Sequence, residues 1–232
     1  LQDKNTLQKD WQAAKYVEFE DDINVLNHSQ IKAIFEITKS EVLKYVFNTD
    51  SAGEFEVRRN PNNQQELSFR VKSAASSLPF ALIKIGDTKS FIKNNIKTTD
   101  IENNFENVRY FEDLDNSSIN ILMGSRAFYE GWDSNRPNII NFVNIGTQRE
   151  AKKFILQSIG RGIRIEPIRN HRKRLAYLKR EQIILDNGLM DFADVNILET
   201  LFVLGTNKNA IQSVLSVLKE NNNTEIEHTL SF

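Results

Sequence analysis

Apolar residues along this 232-residue chain recur with two different periods, and each period marks a different kind of element. Ser29 is placed to cap a helix in which Ile31, Ile34, Phe35, Val42, Leu43, Val46 and Phe47 keep near-helical spacing through Asn48. After Gly53 the pattern changes to alternation. Phe55 and Val57 recur on one side, Asn60-Pro61-Asn62-Asn63 reads as a turn, and Leu67, Phe69 and Val71 alternate again. A β-hairpin follows from this, lying before the core sheet or on its edge. Leu78 to Asp87 is mostly apolar and predicts a strand, with a helix from Thr88 to Lys93. Residues 94–118 are linker-like and acidic, with a short strand and turn at Val108 to Leu114.

The later half repeats the strand-then-helix order. Ile119 to Arg126 predicts a buried strand ending in a small polar turn, and Asn138 to Gly146 predicts another strand. A helical run starts at about Arg149. Arg169 to Asp186 reads as a basic helix on Leu175, Leu178, Ile183 and Ile184, and Ile197 to Leu204 as a strand. Lys208 to Lys219 gives a last amphipathic helix through Ile211, Val214, Leu215 and Leu218, ended by Asn221 to Asn223. Strands alternating with helices predict an α/β fold, a mostly parallel sheet with helices on both faces. The expected division is an N-terminal extension over 1–77 (linker, helix and hairpin), a core domain over 78–220, and a frayed tail over 221–232.

Composition narrows the class. Apolar content of 40% and charged content of 26% are those of an ordinary globular protein. No apolar run approaches the ~18 residues of a membrane span, so no membrane partner is expected, and a cytoplasmic location fits. The absence of cysteine excludes disulfides and thiolate metal sites. His28, His171 and His228 are scattered, and the acidic patch Glu18 to Asp22 lacks a strand scaffold, so no metal site is expected. The sequence begins at Leu1, which suggests a piece of a longer polypeptide.

The formal net charge is only −1, yet the charge is unevenly placed. Between Arg149 and Arg180 stand eleven Lys or Arg against Glu150 and Glu166. A segregated basic segment of this kind can guide a phosphate backbone, although solvated helical faces also carry such runs.

Within that segment lies Gln157-Ser-Ile-Gly-Arg161-Gly-Ile-Arg164-Ile. Arg161 and Arg164, three residues apart, would share one face of a helix. Gly160 and Gly162 remove side-chain bulk beside them, where another molecule could approach the backbone. Guanidinium forks beside bare backbone suit a transferring phosphate; taken alone, the same residues also fit a solvated helix end. Upstream, the strand ending at Gly124-Ser125-Arg126 is followed by Phe128-Tyr-Glu130-Gly131-Trp132-Asp133, then by a strand and the arginine helix.

That order resembles motifs V and VI of superfamily 2 helicases and translocases. The details resemble most closely the motor (Res) subunit of type III restriction enzymes, over about residues 78 to 220. The resemblance implies a second RecA-like motor domain of a DNA-dependent ATPase. Gln157 would sit near the γ-phosphate or attacking water. Arg161 and Arg164 would contact the β/γ-phosphates, with Arg164 as the arginine finger, worth about 10³–10⁵ in rate. Gly131 and Gly160 would let the nucleotide approach the backbone, and Asp133 would accept from the ribose hydroxyl. Ser125 and Arg126 would hold a DNA phosphate. Thr88 and Lys89, after the strand that matches motif IV, would touch another. Trp132 is expected to pack, and Glu130 to orient the arginines.

The sequence contains no Gly-x-x-x-x-Gly-Lys-Ser/Thr loop and no Asp-Glu-x-His/Asp box. The resemblance therefore implies ATP and Mg²⁺ as cofactors, with the magnesium ligands on a first RecA-like domain, so that this stretch alone turns over no ATP. DNA and a methyltransferase or specificity subunit are the implied partners. Gly160-x-Gly162 is not a dinucleotide fingerprint, since Ile165 replaces the third glycine. Asp87-Thr88-Lys89 has the form of a nuclease Asp-x-Lys tail, but no upstream aspartate completes it. Two other readings stand beside the motor: a nucleic-acid-binding module without ATPase activity, and half of an RNA helicase.

Overall fold

The structure is a computed structural model that describes residues 28–72, 78–96, 107–125, 133–183, 195 and 197–222. The chain forms two compact units, Leu1–Trp132 and Asp133–Phe232.

The first unit opens with two helices where one was expected. Helix α1 (His28–Glu36) stops, and α2 (Lys39–Tyr45) starts afresh at Thr38. The break has a local cause. Thr38 Oγ1 accepts from Glu41 N at 3.2 Å while the Glu41 carboxylate accepts from Thr38 N at 2.7 Å, a reciprocal capping box that fixes a new N-terminus. Beyond α2, Phe47 packs edge-on against Phe80 at 4.9 Å, which ties the helical segment to the sheet.

Strands β1 (Phe55–Asn60) and β2 (Asn63–Val71) form the expected hairpin across Pro61-Asn62, with Asn60 Oδ1 accepting from Asn62 N at 2.9 Å. The hairpin is an edge extension: β2 pairs antiparallel with β3 (Ala81–Lys84), and β3 pairs parallel with β4 (Ile121–Gly124), in the order β1-β2-β3-β4. Between β3 and β4 the chain forms helix α3 (Thr88–Asn95) and a 3₁₀ turn (Tyr110–Asp113) where a short strand was expected. Phe111 and Leu114 are buried in that turn and pack with Leu82 and Ile119. Val57, Leu67 and Ile83 face the other way, against Phe91 and Ile92 of α3. Adjacent residues of a strand point to opposite faces, so Leu82 and Ile83 anchor the two layers.

Strand β2 is paired along both edges, and Glu66 is buried with Leu67 and Ser68. Lys84 Nζ meets the Glu66 carboxylate at 3.0 Å and lies 5.0 Å from the Phe111 ring centroid. Strand β4, expected to be buried, is instead the sheet edge among the described residues, with Ile121 38% and Met123 43% exposed.

The second unit holds β5 (Ile139–Phe142), α4 (Arg149–Gly162), α5 (Leu175–Arg180), β6 (Phe202–Gly205) and α6 (Lys208–Asn222). Strands β5 and β6 pair in parallel, and Phe142, Ile155, Ala210 and Val214 form the core beneath α4 and α6. The basic helix is shorter than expected, running only from Leu175 to Arg180 with Gln182 at φ 53° beyond it, and β6 begins only at Phe202, after helical residues at 197–198. The fold is thus mixed α/β, but the expected mostly parallel single sheet is corrected. The four-stranded sheet is mostly antiparallel because the hairpin joins it, and the strands of residues 78–220 fall into two sheets. The two strand pairs formed wholly within 78–220 are both parallel.

No helix among the described residues is long and apolar enough to cross a membrane.

Candidate functional site

Helix α4 buries one stripe and exposes another. Ala151, Ile155, Ser158 and Gly162, spaced four, three and four apart, face the core. Lys153, Gln157 and Gly160 fall on the exposed side. Arg161 is half-buried between the stripes. The helix ends at Gly162, so Arg164 lies in the turn beyond it, where its N–H donates to the Arg161 carbonyl at 3.3 Å. The two arginines therefore do not share a helical face as the spacing suggested; Arg164 leaves the helix and pairs with Asp133. Their side chains are 39% and 75% exposed, so the pair lies in solvent and its net contribution to stability is about 0–1 kcal/mol.

The two glycines differ. A Cβ on Gly162 would stand 2.9 Å from both Leu201 methyl carbons and 3.0 Å from Ile140 Cδ1, so Gly162 is there to let α4 settle onto β5 and the approach to β6. A Cβ on Gly160 would meet nothing within 4 Å among the described residues. Gly160 therefore fits the expectation of an open approach, and Gly162 does not.

Asn135 and Glu166 meet in the segment beyond this end of the helix. Asn135 Nδ2 donates to Glu166 Oε2 at 3.0 Å, and the other Glu166 oxygen accepts from Asn170 N. Neither residue stood out in the sequence, since the two are 31 positions apart and each is an ordinary surface type.

In the first unit, Asp87 caps α3 by accepting from Ser90 N at 3.0 Å. Thr88 is 3% exposed, and its hydroxyl donates to the Gln64 carbonyl of the hairpin. That hydroxyl is engaged inside the fold, which leaves Lys89, exposed beside it, as the side chain able to reach a phosphate at this turn. Ser125 is exposed just past β4, with its N–H donating to the Lys84 carbonyl at 3.4 Å. Arg126, Glu130, Gly131 and Trp132 lie outside the described residues. No group of three or more metal-ligating side chains occurs among the described residues.

Compared with family models, with curated proteins and with solved structures, the chain finds no match in any of the three.

Proposed function

We propose that this chain is the second motor domain of a DNA-dependent ATPase, similar to superfamily 2 translocases and most like the Res subunit of type III restriction enzymes. In this reading residues 78–220 form a RecA-like domain, and ATP binds with Mg²⁺ against a first domain that carries the phosphate loop and the metal carboxylates. Gln157 orients the attacking water. Arg161 and Arg164 neutralise the charge that develops on the β- and γ-phosphates, and Asp133 takes the ribose hydroxyl. Ser125, Arg126 and Lys89 hold DNA phosphates, so binding is largely independent of sequence and falls steeply with salt.

Gly160 carries the reading. A glycine in an exposed helix interior costs about 0.5–1 kcal/mol relative to alanine, and nothing among the described residues needs the space it leaves. A bound molecule lying against the helix would need that space. Gln157, one turn before it on the helix, and Arg164, just past the helix end, are an amide and a guanidinium, the groups that recognise a phosphate. The Asp133–Arg164 pair fits the same role. A weak, solvent-exposed ion pair holds the guanidinium near its place and releases it to a stronger anion.

The test is DNA-stimulated ATP hydrolysis by the polypeptide that joins this domain to its phosphate-loop partner. Arg164→Ala is expected to lower the rate by roughly two or more orders of magnitude while DNA binding persists. A wild-type protein without hydrolysis, or an Arg164→Ala variant at full rate, overturns the assignment.

A further inference from the structure

Past the arginine turn the chain builds a second charged surface. From Arg169 to Arg180 there are six Lys or Arg and no Asp or Glu. This segment is a built structure, not a loose tail. Ile168 and His171 form an isolated bridge, with His171 N donating to the Ile168 carbonyl at 2.8 Å, and Asn170 takes the left-handed φ of 68° that closes the turn. Helix α5 follows, buried through Leu175 and Leu178. Its first amide is held by a buried carboxylate, since Leu175 N donates to Glu199 Oε1 at 2.7 Å. Arg169, Arg172, Lys173, Arg174, Tyr177 and Arg180 are all exposed on this base.

The aromatic ring organises the charges. Lys173, four residues before Tyr177, sets its Nζ 5.6 Å from the ring centroid, and Arg180, three residues after, sets its guanidinium carbon at 5.2 Å. Arg172 is shared with Glu166 at 3.8 Å and Arg180 with Glu181 at 2.9 Å. Arg169 and Arg174 have no acidic partner among the described residues. The cations about Tyr177 are thus spaced and held, and two more stand without an acidic neighbour among the described residues.

We infer that the Arg169–Arg180 surface is a nucleic-acid backbone site, separate from the nucleotide-facing stripe of α4, that binds the sugar–phosphate chain without reading bases. A chain of net charge −1 offers a polyanion no general attraction, so binding must be local, and this surface concentrates the local positive charge. Guanidinium groups outnumber amines on it four to two, which favours phosphate oxygens, met two at a time, over a diffuse ionic atmosphere. The phosphate chain is common to single and double strands, so both serve as probes.

The inference shares with the motor reading only the nucleic-acid partner, and it needs no ATP. The experiment is fluorescence anisotropy of labelled 20-nucleotide single-stranded and duplex DNA with the full 232-residue chain, without nucleotide, over a salt series. Arg169→Gln, Lys173→Gln and Arg174→Gln combined are expected to weaken binding roughly tenfold or more at 50 mM salt, and to flatten the log–log salt slope by about two to three. Tyr177→Ala, which unseats Lys173 and Arg180, is expected to weaken binding less. Ala176→Glu, which adds a negative charge to the exposed face without removing any contact, is expected to weaken it as well. Melting curves matching wild type show that each variant folds.

Unchanged affinity and slope in both the triple variant and Ala176→Glu overturn the inference. So does equal competition by polyglutamate of matched charge, which would make the surface a dock for acidic protein. The surface fails alone if DNA binding persists unaltered while Arg164→Ala still abolishes hydrolysis. The motor reading fails alone if binding follows these variants while hydrolysis ignores Arg164.

Discussion

At the scale of single residues, Gly160 and Gly162 separate open surface from packing within one helical turn. Gly160→Ala adds a methyl group to open space and gains helix propensity, so the chain should become more stable by about 0.5–1 kcal/mol. Gly162→Ala gains the same propensity but drives its Cβ onto Leu201 and Ile140. Overpacking of this kind costs about 1–3 kcal/mol, so a net loss near 1 kcal/mol is expected. Urea denaturation read by circular dichroism checks both signs. On the motor reading, Gly160→Ala should raise stability and lower DNA-stimulated hydrolysis together, a combination that a merely solvated helix end does not produce. Asp133 carries the converse lesson: its pair with Arg164 is exposed, so Asp133→Ala should shift stability by less than about 1 kcal/mol.

At the scale of elements, helices with little buried surface depend on their caps. Helix α2 buries none of its own residues, so Thr38→Ala, which removes the cap hydroxyl, should cost about 1 kcal/mol locally. Hydrogen exchange of the Lys39–Leu43 amides should quicken while that of β2 stays unchanged. The signal for this cap was present in the sequence as Thr38-x-x-Glu41, but apolar spacing running from Ile31 to Phe47 masked it. The hairpin, α3, α4 and α6 were legible because each carries its own period and turn residues. Burial of β4 was not legible. Ile121-Leu122-Met123 reads the same in a central strand as in an edge strand, and sheet order is settled by pairing with distant segments. Spacing put Arg161 and Arg164 on one helical face, but the helix ends before Arg164, and the Arg164–Asp133 pair and the Glu199 cap on α5 join residues 31 and 24 apart. Glu199→Ala should loosen α5, costing about 1–3 kcal/mol because an amide in buried surroundings loses its acceptor. Glu199→Gln, which retains an acceptor, should cost less.

At the scale of the molecule, the apolar clusters divide as the chain does. Leu67 sits with Val57 and Ile83 in the first unit, and Ile155 with Phe142, Ala210 and Val214 in the second. Both side chains are fully buried, so truncating either to alanine should cost about 2–5 kcal/mol. Where that cost appears depends on how stability is shared. A core side chain reports to the unit whose contacts it makes, and local opening follows such cooperative blocks. Leu67→Ala should therefore speed hydrogen exchange in peptides from β1, β2 and β3 and leave α4 and α6 protected. Ile155→Ala should do the reverse. Uniform loss of protection after either change would mean that the two units unfold as one body. The difference bears on the domain boundaries expected from the sequence, because residues 78–220 were expected to form one domain and they divide between the two units. Independent protection of the two units would mean that the boundary at Asp133 separates two cooperative blocks rather than passing through one core.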